Sequence, residues 1–349
     1  MTDHDLATNA GRPAADDTIE ASDDGYESDT RSHHQHAALG TKSLSPSVRD
    51  YAFENNRRYH RYREGRYHFP NDDPEQEREF MKHVVMTHLL GNKLHRAPLV
   101  NPQQVLDIGT GTGVWAIDSM LRSFARAKRQ AVGDEYPEAA VTGIDLSPIW
   151  PDWVPPNVKF VVDDAEAEWY HERDSFDFIR LGNMAPSIHD WPALLASAYK
   201  TLKPGGWIEL QEMRWVYGCD DGTMPPDFTP VKMVANIKEG LAQFGVDMNA
   251  AEQNPARVEA AGFVNVVHQV RKVPVGGWPR NKFLRVIGMY TLSLIFDGLH
   301  AITIGPFTRG LGWTADEVEQ FLVQVRHDLL DPNVHSYVYF HTLSGQKPL

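Results

Sequence analysis

The run VLDIGTGTGVWAI, residues 105–117, constrains the fold more than any other stretch of the chain. VLDIG reads as a short apolar strand, and Thr112 to Ala127 reads as a helix. The glycines between them let the chain turn tightly and bring backbone close to a ligand. A strand, a glycine loop and a helix in that order belong to an open α/β sheet, whose ligands lie at the carboxyl ends of the strands.

The spacing narrows the ligand. Dinucleotide loops read G-x-G-x-x-G and set amides and a helix N-terminus on a pyrophosphate. Here Gly109, Gly111 and Gly113 are spaced G-x-G-x-G, with Asp107 two residues ahead of the first. An acid facing the ligand suits a cation, not a pyrophosphate. S-adenosylmethionine (SAM) carries an ammonium and a sulfonium and no phosphate. Asp107 is therefore expected on the methionyl ammonium, directly or through water; a buried capping Asp in an ordinary turn is the plainer alternative.

The rest of the chain extends this unit. VTGID, VKFVVDD and FDFIRLG read as strands, Pro192 to Leu202 as a helix, and WIELQEM, after the turn Lys203-Pro204-Gly205-Gly206, as a fifth strand. Such alternation implies a parallel sheet. Asp145 and Leu146 follow the second strand, where an acid can accept from both ribose hydroxyls or simply cap a helix. The gap from Gly113 to Asp145 is 32 residues, against about 20 in dinucleotide folds; the surplus falls in SFARAKRQAVGDE. After the third strand Asp164 is preferred over Asp163 as the acceptor from the adenine amino group, with the Ala165 amide beside the ring. Strand alternation makes only one of the two acids face the ligand.

Gly182, Asn183 and Met184 follow the fourth strand and are expected on the sulfonium and acceptor side. His189 is a candidate general base, although a locally bonded helix-start histidine is the commoner role. Glu209 and Glu212 should lie on opposite faces of the fifth strand. Glu212, nearer its end, is a second catalytic candidate or a structural residue.

The flanks carry less chemistry. Residues 1–48 are polar and acidic, with nine acids against two bases over residues 1–31, and are expected to be a disordered tail. Its His33, His34 and His36 read as solvated rather than metal-binding, and no metal is expected anywhere. Residues 49–100 read as an arm and a helix, the arm (YAFENNRRYHRYREGRYHFP) packing aromatics on the body. Residues 101–349 read as the catalytic domain, with a lid insertion at about 220–310 whose Met289, Tyr290, Leu294 and Phe296 suit an apolar acceptor site or core packing. Thr314-Ala-Asp-Glu317 is a capping box.

The formal net charge of −13 disfavours nucleic acid. Val286 to Ile304 is apolar but holds Asp297, Gly298 and His300, so a buried helix is expected there and no membrane span. The single Cys219 and the lack of a signal-like N-terminus suit an intracellular location, cytoplasmic or nuclear.

Taken with ENNRRYHRYREGRYHFPNDDPEQER, GIDLSPIWPDWVPPNVKFVVDDAEAEW, SIHDW, LKPGGWIELQE and the tail FTRGLGWTADEVEQFLVQVRHDLLDPNVHSYVYFHTLSGQKP, these motifs resemble class I SAM methyltransferases, and more narrowly the LaeA-like fungal methyltransferases of secondary metabolism. The resemblance implies a Rossmann-like α/β fold: a seven-stranded, mostly parallel sheet with helices on both faces, a helical lid and an N-terminal arm. It implies SAM as donor, S-adenosylhomocysteine as product, and Tyr59, His60, Tyr62 and Tyr67 as cover for cofactor or acceptor. Transfer to an O or N acceptor on a small molecule is expected, by direct displacement. The alternative it carries is a regulator in a nuclear complex with velvet-type proteins. In two places the chain departs: related sequences commonly read like HAR after the fourth strand, where this chain has Arg180-Leu181-Gly182, and the long insertion after Gly113 is the second.

Overall fold

The structure, a computed structural model, describes residues 50–117 and 139–349. The tail expected over 1–48, the whole SFARAKRQAVGDE insertion and the part past Ile117 of the helix expected over Thr112 to Ala127 lie outside the described residues.

The arm opens as a hairpin, β1 (Tyr51–Glu54) against β2 (Arg57–His60). Asn55 and Asn56 both take positive φ, 48° and 58°, as a two-residue turn with the right twist demands. Helix α1 (Asp73–Leu89) starts on Asp72, whose carboxylate accepts from the Glu75 amide. Then come β3 (Gln104–Ile108), α2 (Val114–Ile117, as far as it is described), β4 (Ala140–Asp145), β5 (Val158–Val162), β6 (Phe176–Gly182), α3 (Trp191–Thr201) and β7 (Leu202–Gly218). The second half holds α4 (Thr229–Ala242), α5 (Ala250–Ala260), β8 (Val264–Pro274), α6 (Lys282–Gly305), α7 (Ala315–Leu329) and β9 (Tyr337–Gln346). The capping box forms at Thr314 and Glu317.

Seven strands make one sheet in the order β5-β4-β3-β6-β7-β9-β8. The pairs from β5 through β7 are parallel, and β9 runs antiparallel to both β7 and β8. The chain leaves β3 toward β4 and β5, then crosses back to lay β6 on the other side of β3. That reversal opens a crevice at the carboxyl ends of β3 and β6.

Strand alternation feeds two cores. Val105 and Phe178 pack with Trp115 on the α2 face, while Leu106, Ile179 and Ile208 pack with Leu195 of α3 and Val258 of α5 on the other. A third core joins α1, α4, α6 and α7 above the strand ends, with Met213 of β7 and Phe340 of β9. Helix α6 is apolar and long enough to cross a membrane, but more than half of that stretch is buried, and it packs on α1, α7 and β8.

The lid expected as one block over about 220–310 is interrupted. Between α4 and α6 the chain returns to the sheet as α5 and β8, where α5 covers a sheet face. Of this stretch, α4 and α6 line the crevice, together with Met248 just ahead of α5. The short apolar alternation VNVVHQV does not distinguish a sheet strand from a lid element.

Candidate functional site

A cavity with about 210 Å³ of room for the centres of water-sized molecules opens at the crevice. Its floor is the glycine loop. Gly109, Gly111 and Gly113 all take positive φ (67°, 57° and 74°), the left-handed region that side chains rarely adopt. Gly109 and Gly111 line the cavity; a Cβ on Gly109 would collide with the Met184 thioether, and open space lies in front of Gly111. Gly113 is set back from the cavity. The ring of Phe160 presses on it, so its bare Cα serves helix-to-strand packing.

Asp145 ends β4 in the cavity wall. Its two oxygens accept from the amides of Gly111 and Ser147, each at 2.9 Å. Burial raises its carboxyl above the usual range, against those two amides. Leu146, Asp163, Asp164 and Ala165 line the same wall. Arg66 of the arm reaches across to Asp164 (3.3 Å) and Glu166 (3.1 Å). Glu166 also gathers the amides of His189 and Asp190 and the His189 ring at 2.9 Å. Burial pushes that carboxyl up, but His189, the Asp190 amide and Arg66 together hold it below its ordinary value. Tyr67, Gly182, Asn183, Met184 and Glu212 complete the set of expected residues that reach the cavity.

Other expected residues lie elsewhere. Asp107 is fully buried beneath the loop, with one oxygen taken by Arg180 at 2.8 Å and the other by the Thr110 hydroxyl at 2.7 Å. It holds the loop from below and does not line the cavity. His189 is turned onto Glu166 and set back from the cavity. Tyr59 is buried under the Arg309 guanidinium, 4.6 Å from its ring centroid, and burial pushes its hydroxyl up to about 12. Met289 and Tyr290 sit on the outer face of α6 and are 40% and 42% exposed; Leu294 does line the cavity, with Ile295 and Ile302 beside it on the inner side, while Phe296 packs against the core.

Arg180 is the centre of a buried polar row. Register sets Asp107, Arg180 and Glu209 side by side across β3, β6 and β7. Arg180 donates to Gln211 at 3.2 and 3.3 Å and lies over the Trp115 ring at 4.7 Å. Gln211 passes the chain to Glu209 at 2.8 Å. Glu209 then accepts the amides of Arg96 and Ala97 at 2.7 and 2.6 Å. The departure at Arg180-Leu181-Gly182 has a physical reading here. The guanidinium of Arg180 fills the space that a side chain at 182 would need.

Sequence reading missed one wall. Glu75, Arg78, Glu79 and Lys82 of α1 all line the cavity. Arg78 pairs with Glu75 and Glu79, and Lys82 with Glu79 at 2.6 Å. The spacing i, i+3, i+4, i+7 was the available signal, but early acids in a helix also serve its N-terminus. The aliphatic stem of Arg78 lies against the bare Cα of Gly298 on α6.

The strand-end crevice fits SAM in two respects. The loop backbone is open to the cavity at Gly111, and a carboxylate stands at the end of the neighbouring strand, where ribose hydroxyls bind in this architecture. A family model described as a methyltransferase domain matches residues 78–217. Fold, crevice and match define a SAM-dependent methyltransferase of the class I, Rossmann-like kind. The methyltransferase pytC of Aspergillus terreus is 40% identical over 308 residues, covering 88% of this chain and 91% of that protein. A secondary metabolism regulator of Cochliobolus heterostrophus is 32% identical over 310 residues, covering 87% and 97%. The protein-methionine methyltransferase laeA of Emericella nidulans is 28% identical over 320 residues, covering 89% and 82%. The chain belongs to the LaeA-like fungal methyltransferases.

Proposed function

We propose that the chain moves a methyl group from SAM to an O or N acceptor on a small molecule of fungal secondary metabolism. One observation carries this reading. The cavity continues past the glycine loop into an apolar chamber walled by β7, α4 and α6, including Met213, Trp215, Ile237 and Leu294. Such a chamber suits an apolar small molecule with a few directing polar groups. Its similarity to pytC supports the same reading.

In this reading Asp145 holds the ribose, Asp163 or Asp164 the adenine edge, and the backbone of Gly109 and Gly111 the methionyl part. When bound, SAM supplies a methyl already activated by its sulfonium. The protein then supplies orientation and exclusion of water. Arg66 ties the arm down over the cofactor end, and Glu212 fixes the loop after β6 through the amides of Met184 (2.8 Å) and Ala185 (3.3 Å).

A regulatory role beside velvet-type proteins, cytoplasmic or nuclear, is the second reading. Its support is the similarity to named regulators, and to a relative named for methylating protein methionine. The Met184 thioether against Gly109 offers that chemistry an acceptor atom within the cavity. Labelled SAM separates the two. Label recovered in an extracted apolar metabolite supports the first; label retained on protein, with velvet-type proteins in a pulldown, overturns it for the second.

A further inference from the structure

The cavity has two unlike ends, and one carboxylate stands where they meet. At the cofactor end Glu75 and Glu79 pair with Arg78, Asp164 and Glu166 pair with Arg66, and Asp145 is held by two backbone amides at the ribose position. At the roofed end the walls are apolar. Glu212 lies at the junction. It bonds the loop whose Met184 packs on Gly109, and it directly precedes Met213, which lines the apolar wall with Trp215. Its side chain is buried, and among the described residues it is held by two backbone amides and paired with no cation. Each oxygen accepts one amide, which fixes the carboxylate and leaves each oxygen a further lone pair for a donor inside the cavity.

We propose that Glu212 is the general base of the transfer, and that the acceptor is a hydroxyl carried on a largely apolar small molecule. The proposal rests on the methyltransferase reading and deepens it. The acceptor oxygen forms the new C–O bond as the donor's C–S bond breaks and its electrons pass to sulfur. The hydroxyl proton goes to the Glu212 carboxylate and then to water. Burial pushes this carboxyl up to about 7, against the Met184 and Ala185 amides and against Lys82 of α1 and Arg180 of β6, which pull it down. A base near neutrality holds its proton well enough to take it and loosely enough to release it.

The test uses the full chain, tritiated SAM and 1-naphthol, an apolar ring with one hydroxyl. The wild-type chain should methylate 1-naphthol, with kcat rising as pH rises through about 7 and Glu212 ionises. Glu212→Gln should bind SAM within about threefold of wild type by calorimetry, yet lose about 100-fold or more in kcat, the usual reach of a general base. Glu212→Asp, which keeps a carboxylate, should keep the rising limb at a lower plateau. A Glu212→Gln variant with kcat within about threefold of wild type would overturn the proposal. So would a wild-type chain that binds SAM and leaves 1-naphthol unmethylated. A wild-type chain that fails to bind SAM would sink the methyltransferase reading itself.

Discussion

Replacing Arg180 with methionine tests the buried polar row most directly. The substitution keeps an apolar stem and removes the guanidinium. Asp107, with no exposed surface, is left with the Thr110 hydroxyl alone. Gln211 loses both of its donors from Arg180, and Trp115 loses the cation over its ring. Stripping one partner from a buried ion pair costs about 3–5 kcal/mol, because the remaining charge has no water to turn to. In urea, with a slope of about 3 kcal/mol/M, the midpoint should fall by roughly 1 to 1.7 M. Adding Asp107→Asn removes the stranded charge, so the double variant should regain about 2 kcal/mol over Arg180→Met alone. SAM affinity should fall as well, since Asp107 anchors Thr110 within the glycine loop. A loss below about 1 kcal/mol, or a double variant no more stable than the single one, would refute the claim that the pair holds the loop.

Three further outcomes are expected. Asp145→Ala should weaken SAM binding by about tenfold or more in calorimetry, one strong hydrogen-bond acceptor's worth; unchanged affinity would remove Asp145 from the ribose. Thr314→Ala should lower stability by about 1 kcal/mol through the lost capping box, read from urea unfolding. His68 is buried against Phe244, centroids 4.0 Å apart, and neither ring nitrogen has a hydrogen-bond partner among the described residues. Burial, with Arg309, His189 and His60 nearby, lowers it to about 4, so the folded ring stays neutral while the unfolded chain takes a proton below its ordinary 6.5. Stability then falls as pH drops from about 6.5 to about 4, and His68→Phe should raise the urea midpoint more at pH 5 than at pH 8. Equal shifts at both values would contradict the assignment.

Local signals made much of the fold legible. A glycine loop between a strand and a helix, strands ending in acids, and Thr314 three residues before Glu317 each act over a few residues, and each formed where expected. Contacts set by register were not legible. Asp107 and Arg180 lie 73 positions apart, and only the pairing of β3 with β6 makes them neighbours. Without that pairing, Asp107 reads as a free acid facing a ligand. The α1 wall stayed hidden for a similar reason, because no local pattern says which helix face will cover a crevice. Of the α6 candidates Leu294 reaches the cavity, while Met289 and Tyr290 fall on the opposite face, since an apolar helix offers candidates all round and packing alone selects among them. The return of α5 and β8 to the sheet depends on β9, the last strand in the chain, which must be in place before β8 has an edge to join.

That return governs how the roof can change. A lid made from one uninterrupted insertion swings as a flap on a single hinge. Here α4 and α6 are two planks parted in sequence by the return to the sheet, yet they share one joint: Gly240 of α4 lies against the backbone of Pro306, in the turn that continues α6. Altering one plank at that joint shifts the seating of the other. The roof thus moves as a jointed pair on its own core, while the glycine-loop floor rests on the two cores of the sheet beneath.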